Sequence, residues 1–246
     1  MFTPLNRQLQ PKHKPRIFAR KSCPIAIDVM DLDSTLTSSA AEEALEQALV
    51  DEMAQYFPDK TREEAIAINQ AGYRKHGTTA LFIEHEFGVP QDEFVRAAYT
   101  RFHENCGDMY QPNEALIRAL RNHDRPRMIF TASPLFHAKF VLNKMRIWDA
   151  FDGIEAADGA LIAGRKKYAI SVLRDLRLHI WDSFKAMPQH VAIYDDKSAV
   201  LNAAKEEGFG HRIQVRDRTA TFHGPITDQA TMHVKCVPSA LGALAA

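Results

Sequence analysis

A doubly wound parallel α/β sheet with an inserted α-helical domain is the fold this sequence predicts, on three observations. Short apolar stretches at Cys23–Met30, Arg127–Thr131, His190–Tyr194 and Arg212–Val215 are followed by helical patterns, which is the order of a parallel sheet with right-handed crossovers. The gap between the first two stretches is about 90 residues, whereas a crossover needs only about a dozen. That gap is helical throughout rather than structureless, so it reads as a separate domain.

The elements follow in order. Cys23–Met30 is a strand ended by the polar loop Asp31-Leu-Asp-Ser-Thr-Leu-Thr37. Residues 41–56 place Ala44, Leu45, Ala48, Leu49 and Met53 at helical spacing. Thr61-Arg-Glu-Glu64 has the form of a capping box that opens a second helix. Residues 79–87 and 91–102 continue the pattern, and Phe82, Phe87, Phe94, Tyr99 and Phe102 are spaced as the core of this segment. Beyond it, helices are expected over 113–122, 135–145, 168–178 and 198–207. The tail from Asp217 offers one strand candidate, Met232–Val237. The predicted division is an arm (1–24), an α/β core (25–38 and 108–246) and a helical segment (39–107).

Composition narrows the function classes. The 246 residues carry 31 Lys plus Arg and 31 Asp plus Glu, so net charge gives no overall attraction to nucleic acid or anionic membrane. With 46% hydrophobic residues and ordinary Gly and Pro, the chain is neither disordered nor low-complexity. No run approaches the ~20 apolar residues of a membrane span. Cys23, Cys106 and Cys236 form no CxxC pair. They read as buried, unpaired thiols in a reducing, cytoplasmic setting. The arm holds six Lys and Arg before the first acid, Asp28, and is broken by Pro4, Pro11, Pro15 and Pro24. It lacks the apolar stretch of a secretory signal and reads as a solvated arm, with a basic docking segment as the sharper alternative.

Three polar clusters fall at strand ends, where a parallel sheet gathers its ligands. They are Asp31-x-Asp33-x-Thr35, Thr131-Ala132-Ser133, and Asp195-Asp196. Thr131 offers a hydroxyl, and the backbone N–H groups of Ala132 and Ser133 suit an anion. Four carboxylates in one pocket repel; like charges ~4 Å apart cost about 4 kcal/mol per pair at an effective dielectric of 20. A hard divalent cation resolves this, and Mg²⁺ is the usual partner of carboxylates plus phosphate. Lys166 and Lys167 stand between the second and third clusters and add positive charge.

These residues, in this order, resemble the four motifs of the haloacid dehalogenase (HAD) superfamily. The first is Asp31-Leu-Asp-Ser-Thr-Leu36, the second Ile129-Phe-Thr131, the third Lys166 or Lys167, and the fourth Ile193-Tyr-Asp-Asp196. The helical segment stands where that family carries its C1 cap, on a Rossmann-like core. Ser38-Ser39 with its long helix, Tyr73-Arg-Lys-His-Gly-Thr-Thr79 and Ser198-Ala-Val-Leu-Asn-Ala-Ala-Lys205 look most like the pyrimidine 5′-nucleotidase branch. Two features depart from it: Ala132 stands where that branch usually has Asn, and Arg165-Lys-Lys-Tyr168 replaces the common Lys-Pro.

The resemblance implies a Mg²⁺-dependent phosphomonoester hydrolase. In it, Asp31 attacks phosphorus and forms an aspartyl-phosphate, and Asp33 serves as acid and then base. Thr131, Ala132 and Ser133 hold the phosphoryl oxygens, and Lys166 or Lys167 offsets charge. Mg²⁺ sits on Asp31, the Asp33 carbonyl and Asp196, with Asp195 as direct or water-mediated support. The implied substrate is a small nucleotide such as UMP or CMP, with Tyr73 and Thr78 as nucleoside contacts; helix packing and a turn after Gly77 explain those two equally well. The rivals are a phosphatase or phosphomutase for another small metabolite, a dehalogenase, and a non-catalytic HAD-like binding protein. His76, His85 and His103 read as ordinary surface or core histidines, since no HExxH or similar metal spacing occurs.

Overall fold

The computed structural model describes residues 25–76, 79–162, 165–216 and 230–245. The basic arm, Cys23, Gly77, Thr78, Gly164 and residues 217–229 lie outside these, and so does the side chain of Tyr73. Two units are present, residues 40–110 and the remainder of the described chain.

The larger unit is a six-stranded parallel sheet. Its strands are β1 (Ile27–Met30), β2 (Arg127–Phe130), β3 (Gly153–Glu155), β4 (Val191–Asp195), β5 (His211–Val215) and β6 (Met232–Val234), in the order β3-β2-β1-β4-β5-β6. Every pairing is parallel. The chain builds outward from β1 to β3, then returns beside β1 to start β4. The β1/β4 seam is therefore the point where strand order reverses and a crevice opens beyond the carboxyl ends.

β1, β2 and β4 are buried at every position, as expected of parallel strands covered on both faces. On one face Ile27, Val29, Met128, Phe130, Val191 and Ile193 join Val172, Leu173, Leu176 and Ile180 of α7 (Ile170–Phe184) and Leu201 and Ala204 of α8 (Ser198–Glu206) in one core. Each such fully buried aliphatic or Phe side chain contributes about 1.5–3 kcal/mol of hydrophobic free energy.

On the opposite face a charge is buried. Asp28, fully buried in β1, accepts hydrogen bonds from Arg125 Nε (3.0 Å) and from the Tyr194 hydroxyl (3.0 Å). A buried carboxylate is tolerated only when its oxygens are satisfied in this way.

Several expected boundaries move. β3 was not foreseen, because its three residues begin with Gly153 and fall below the length at which a strand pattern shows. α7 starts at Ile170 and runs to Phe184, beyond the expected Leu178. Its second half carries exposed Leu178 and Trp181, which break the one-sided apolar pattern. In the tail, β6 ends at Val234, and Val237 opens α9 (Val237–Ala245) instead of closing a strand. Cys106 is half-buried and Cys236 exposed, so neither is the buried core thiol expected.

The second unit occupies the chain between β1 and α5 (Glu114–Arg121) and is helical: α1 (Ser39–Ala54), α2 (Arg62–His76), α3 (Thr79–Phe87) and α4 (Gln91–Cys106). The Thr61–Glu64 capping box forms as its sequence suggests. Thr61 N donates to Glu64 Oε2 (2.8 Å) and Glu64 N to Thr61 Oγ1 (3.2 Å). Met53, Ala65, Phe82, Ile83 and Phe94 make the unit's own core. No helix among the described residues is long and apolar enough to cross a membrane.

Candidate active site

Register assembles the site. Met30 pairs with Tyr194 across the β1/β4 seam, and Asp31 N donates to the Tyr194 carbonyl at 2.9 Å. Asp31 and Asp195 therefore leave adjacent strands side by side. After Asp31 the chain turns sharply: the N–H groups of Thr35, Leu36 and Thr37 all donate to the Leu32 carbonyl. Ser34 sits at φ +57°, a left-handed conformation that non-glycine residues seldom adopt and that concentrates at functional sites. Ser34 N and Thr37 Oγ1 brace the turn with a 3.2 Å bond. Thr35 Oγ1 is buried and makes no hydrogen bond.

Three carboxylates meet here. One oxygen from each of Asp31, Asp195 and Asp196 lies within 4.8 Å of the other two. Lys167 reaches into the group, with Nζ 2.6 Å from Asp31 Oδ1 and 2.7 Å from Asp195 Oδ2. The other oxygen of Asp195 accepts from Lys197 N at 2.8 Å. Lys167 is 7% exposed, and its ammonium also lies 5.3 Å from the Phe130 ring centroid. Neighbouring Lys166 is exposed, with its ammonium over Tyr168. Of the two lysines, then, the structure brings Lys167 alone to the carboxylates. Both precede α7, in the loop before Ile170.

Asp33 is turned elsewhere. Its Oδ2 accepts from the Ser133 hydroxyl at 2.5 Å, and its Oδ1 lies 3.5 Å from His137 Nε2. Its side chain is not part of the three-carboxylate group. Thr131 is 1% exposed; its hydroxyl accepts from Ser133 N (3.0 Å) and its own N–H donates to the Glu155 carbonyl (2.9 Å). Ala132 is exposed between buried Thr131 and Ser133. The second strand-end cluster thus lies beside the first, joined through Ser133 and Asp33. Of the two remaining candidates, Thr78 and the Tyr73 side chain lie outside the described residues.

Electrostatics separate the two aspartates of the first loop. Burial pushes the Asp31 carboxyl up to about 7; Lys167 pulls it down, while Asp195 and Asp33 add repulsion. Burial also raises Asp33, but His137, Ser133 and the Lys197 charge outweigh it and hold the group below the usual carboxylate range. Lys167 loses from burial but gains more from Asp195 and Asp31, so its ammonium is strengthened. These environments favour the proton on Asp31 and the charge on Asp33, and a divalent ion on the Asp31 oxygens would favour its charged form instead.

The sequence reading missed His137. It is fully buried in the first turns of α6 (Leu135–Lys144), on the same side as Ala138, Val141 and Leu142. The available signal was its position: a helix that opens directly after Ser133-Pro134 returns its first turn to the strand end it has just left.

The fit to a cation can be judged on the donors themselves. Three oxygen donors of like charge converge, and one lysine leaves Asp31 still raised by burial. A hard divalent ion matches such an all-oxygen set.

No family model matches the chain, and no curated protein does. Solved structures do. The HAD phosphatase of Thermococcus onnurineus is similar with a TM-score of 0.63 and 14% identity, over 89% of this chain and 98% of that one. CbbY from Rhodobacter sphaeroides, in complex with phosphate, is similar with a TM-score of 0.57 and 22% identity, over 85% and 93%. The HAD hydrolase YfnB of Bacillus subtilis, bound to magnesium, is similar with a TM-score of 0.56 and 16% identity, over 90% and 99%. Over most of its length, this chain therefore has the fold of the HAD hydrolases.

Proposed function

We propose that the protein is a HAD-superfamily phosphomonoester hydrolase that uses Mg²⁺ and an aspartyl-phosphate. The observation that carries the reading is Lys167 joined to both Asp31 and Asp195, in a group whose third carboxylate is Asp196. The phosphate complex and the magnesium-bound structure among proteins of this fold support the reading.

Asp31 is the nucleophile. Its carboxylate oxygen bonds to phosphorus as the bond from phosphorus to the leaving oxygen breaks, and Asp33 delivers a proton to that oxygen. In the second step Asp33 takes a proton from water, whose oxygen attacks phosphorus and frees Asp31 and inorganic phosphate. Ser133 and His137 hold both Asp33 oxygens in place for these transfers. Lys167 and the Ala132 N–H face the charge on the transferring phosphoryl oxygens, the Ser133 N–H being engaged by Thr131 Oγ1. Mg²⁺ would be held by Asp31, Asp195, Asp196 and the Asp33 main-chain carbonyl, and when bound it supplies neutralisation of the phosphoryl charge. The residues 39–107 form a C1-type cap, and the substrate is a small nucleotide of the UMP or CMP kind.

Hydrolysis of p-nitrophenyl phosphate tests the reaction class. Turnover should need Mg²⁺, stop with EDTA and vanish in Asp31→Asn. Turnover insensitive to EDTA would refute the Mg²⁺ requirement; no turnover of phosphate esters would leave a dehalogenase, read by halide release from a 2-haloacid, or a binding protein. A panel of phosphorylated metabolites tests the substrate: uniform, poor activity on pyrimidine nucleotides would remove the nucleotidase reading and leave the phosphatase, and product analysis separates hydrolysis from phosphate migration.

A further inference from the structure

The helical unit holds a second group of ligand-type side chains that the proposed reaction does not use. His76 ends α2, and His85 and Glu86 lie in the last turn of α3. His76 Nε2 is 3.5 Å from Glu86 Oε1, and His85 Nδ1 is 3.8 Å from the same oxygen. One donor atom from each of the three residues lies within 4.8 Å of the others. The two imidazole rings stand 4.8 Å apart, centroid to centroid.

One detail sets this group apart from a chance surface cluster. His76 Nε2 is buried and makes no hydrogen bond, although it faces Glu86. A buried polar nitrogen without such a bond is costly unless another partner engages it. Ligands bound tetrahedrally at 2.0–2.2 Å stand roughly 3.4 Å from one another, close to the observed separations from Glu86. Two imidazoles and one carboxylate are also the donor types that suit Zn²⁺ and its neighbours rather than Mg²⁺. The carboxyl end of α2, with its partial negative charge, adds attraction for a cation.

We infer that His76, His85 and Glu86 form a binding site for a divalent transition-metal ion of the zinc class, which braces the end of α2 against α3. The site is separate in residues and in donor chemistry from the all-carboxylate group on the sheet. Lys75, whose Nζ donates to Glu86 Oε1 at 3.1 Å, is 68% exposed. Such a surface ion pair is weak and gives way to a metal. His85 is 69% exposed and Glu86 41%, so the ion enters from solvent and keeps water in its remaining position.

Calorimetric titration of the full chain with ZnCl₂, in excess MgCl₂ to occupy the carboxylate group, tests the site. One zinc per chain with micromolar affinity is expected. His85→Gln, a change at an exposed position, should weaken binding at least about tenfold, and the pair His76→Gln with His85→Gln should abolish it. Co²⁺ loaded in place of zinc should show a visible d–d band that is lost in His85→Gln. Zinc binding should persist in Asp31→Asn, which keeps this test independent of the phosphatase reading. No binding at about 100 µM zinc, or affinity unchanged in both His variants, would overturn the assignment.

Discussion

Replacing Lys167 with Met removes the ammonium that joins Asp31 to Asp195 while keeping most of the side chain's length. Its contacts are 2.6 and 2.7 Å, and its side chain is 6% exposed. The site is therefore nearly dry, and the loss is not softened by solvent. Left without it, two carboxylates within 4.8 Å of each other face a repulsion of about 4 kcal/mol at an effective dielectric of 20. Charge developing on a transferring phosphoryl group loses a preorganised partner, an effect worth about 2.7–4 kcal/mol, or 10²–10³ in kcat. The assay is steady-state hydrolysis of p-nitrophenyl phosphate with Mg²⁺, beside circular dichroism to confirm folding. Lys167→Met should lower kcat by about two to three orders of magnitude. Lys167→Arg should recover only part of this, because a planar fork does not replace a point charge between two carboxylates. Lys166→Met should stay within about threefold of the parent, a difference of under 1 kcal/mol. A folded Lys167→Met enzyme within tenfold of the parent would refute the reasoning, as would an equal loss from Lys166→Met.

The remaining predictions concern stability. Tyr194→Phe removes one of the two hydrogen bonds that Asp28 accepts from Arg125 and Tyr194, leaving a buried carboxylate oxygen poorly satisfied; a loss of about 1–3 kcal/mol is expected by denaturant titration, and an unchanged midpoint would show that water or another group takes over. Glu155, buried at the end of β3 with Oε2 making no hydrogen bond, has its carboxyl raised by burial, against a bond from the Leu161 backbone. Its folded form therefore holds a proton more tightly than the unfolded chain does, so its contribution is greatest in acid and is lost as pH rises through the raised value. Glu155→Gln should raise the melting temperature by roughly 2–4 °C at neutral pH, about 1 kcal/mol, with the gain vanishing in acid; a gain independent of pH would contradict this. Gly72 lies within α2, where Ala ordinarily gains about 1 kcal/mol. A Cβ there would meet the Phe82 ring at 2.4 Å. Overpacking costs about 1–3 kcal/mol, so Gly72→Ala should destabilise, and a raised melting temperature would show that the ring can yield.

What was legible in the chain, and what was not, follows from the range of each interaction. The capping box at Thr61 and Glu64 is closed by neighbours three residues apart, and α3 (Thr79–Phe87) lies where its pattern placed it. The strand end at Met30 showed, and that of β2 was read one residue late, at Thr131 instead of Phe130, because an apolar run gives way to a polar loop within a residue or two. β3 and α9 did not show. The first is too short to carry a period, and the second mixes Pro238 and Gly242 into a helix of small residues. Asp28 passed as one polar residue within an apolar run, because its partners Arg125 and Tyr194 stand 97 and 166 residues away.

The choice between Lys166 and Lys167 shows where reading from sequence stops. Both share one loop, one charge and one neighbourhood in the chain, and no pattern distinguishes them. The distinction arises because one side chain turns into the crevice at the β1/β4 seam while the other stays on the surface. The seam itself is a consequence of strand order, and it brings Lys167 to Asp31 across 136 residues and Ser133 to Asp33 across 100. Sequence can therefore name which clusters will meet, since each sits at a strand end. It cannot name which atom of a cluster makes the contact, because that depends on loop geometry set by the packed sheet. The same reasoning explains Asp33: two residues from Asp31 in the chain, it is carried by the left-handed turn at Ser34 toward Ser133 and His137. One short loop thereby presents two carboxylates to two different sets of partners.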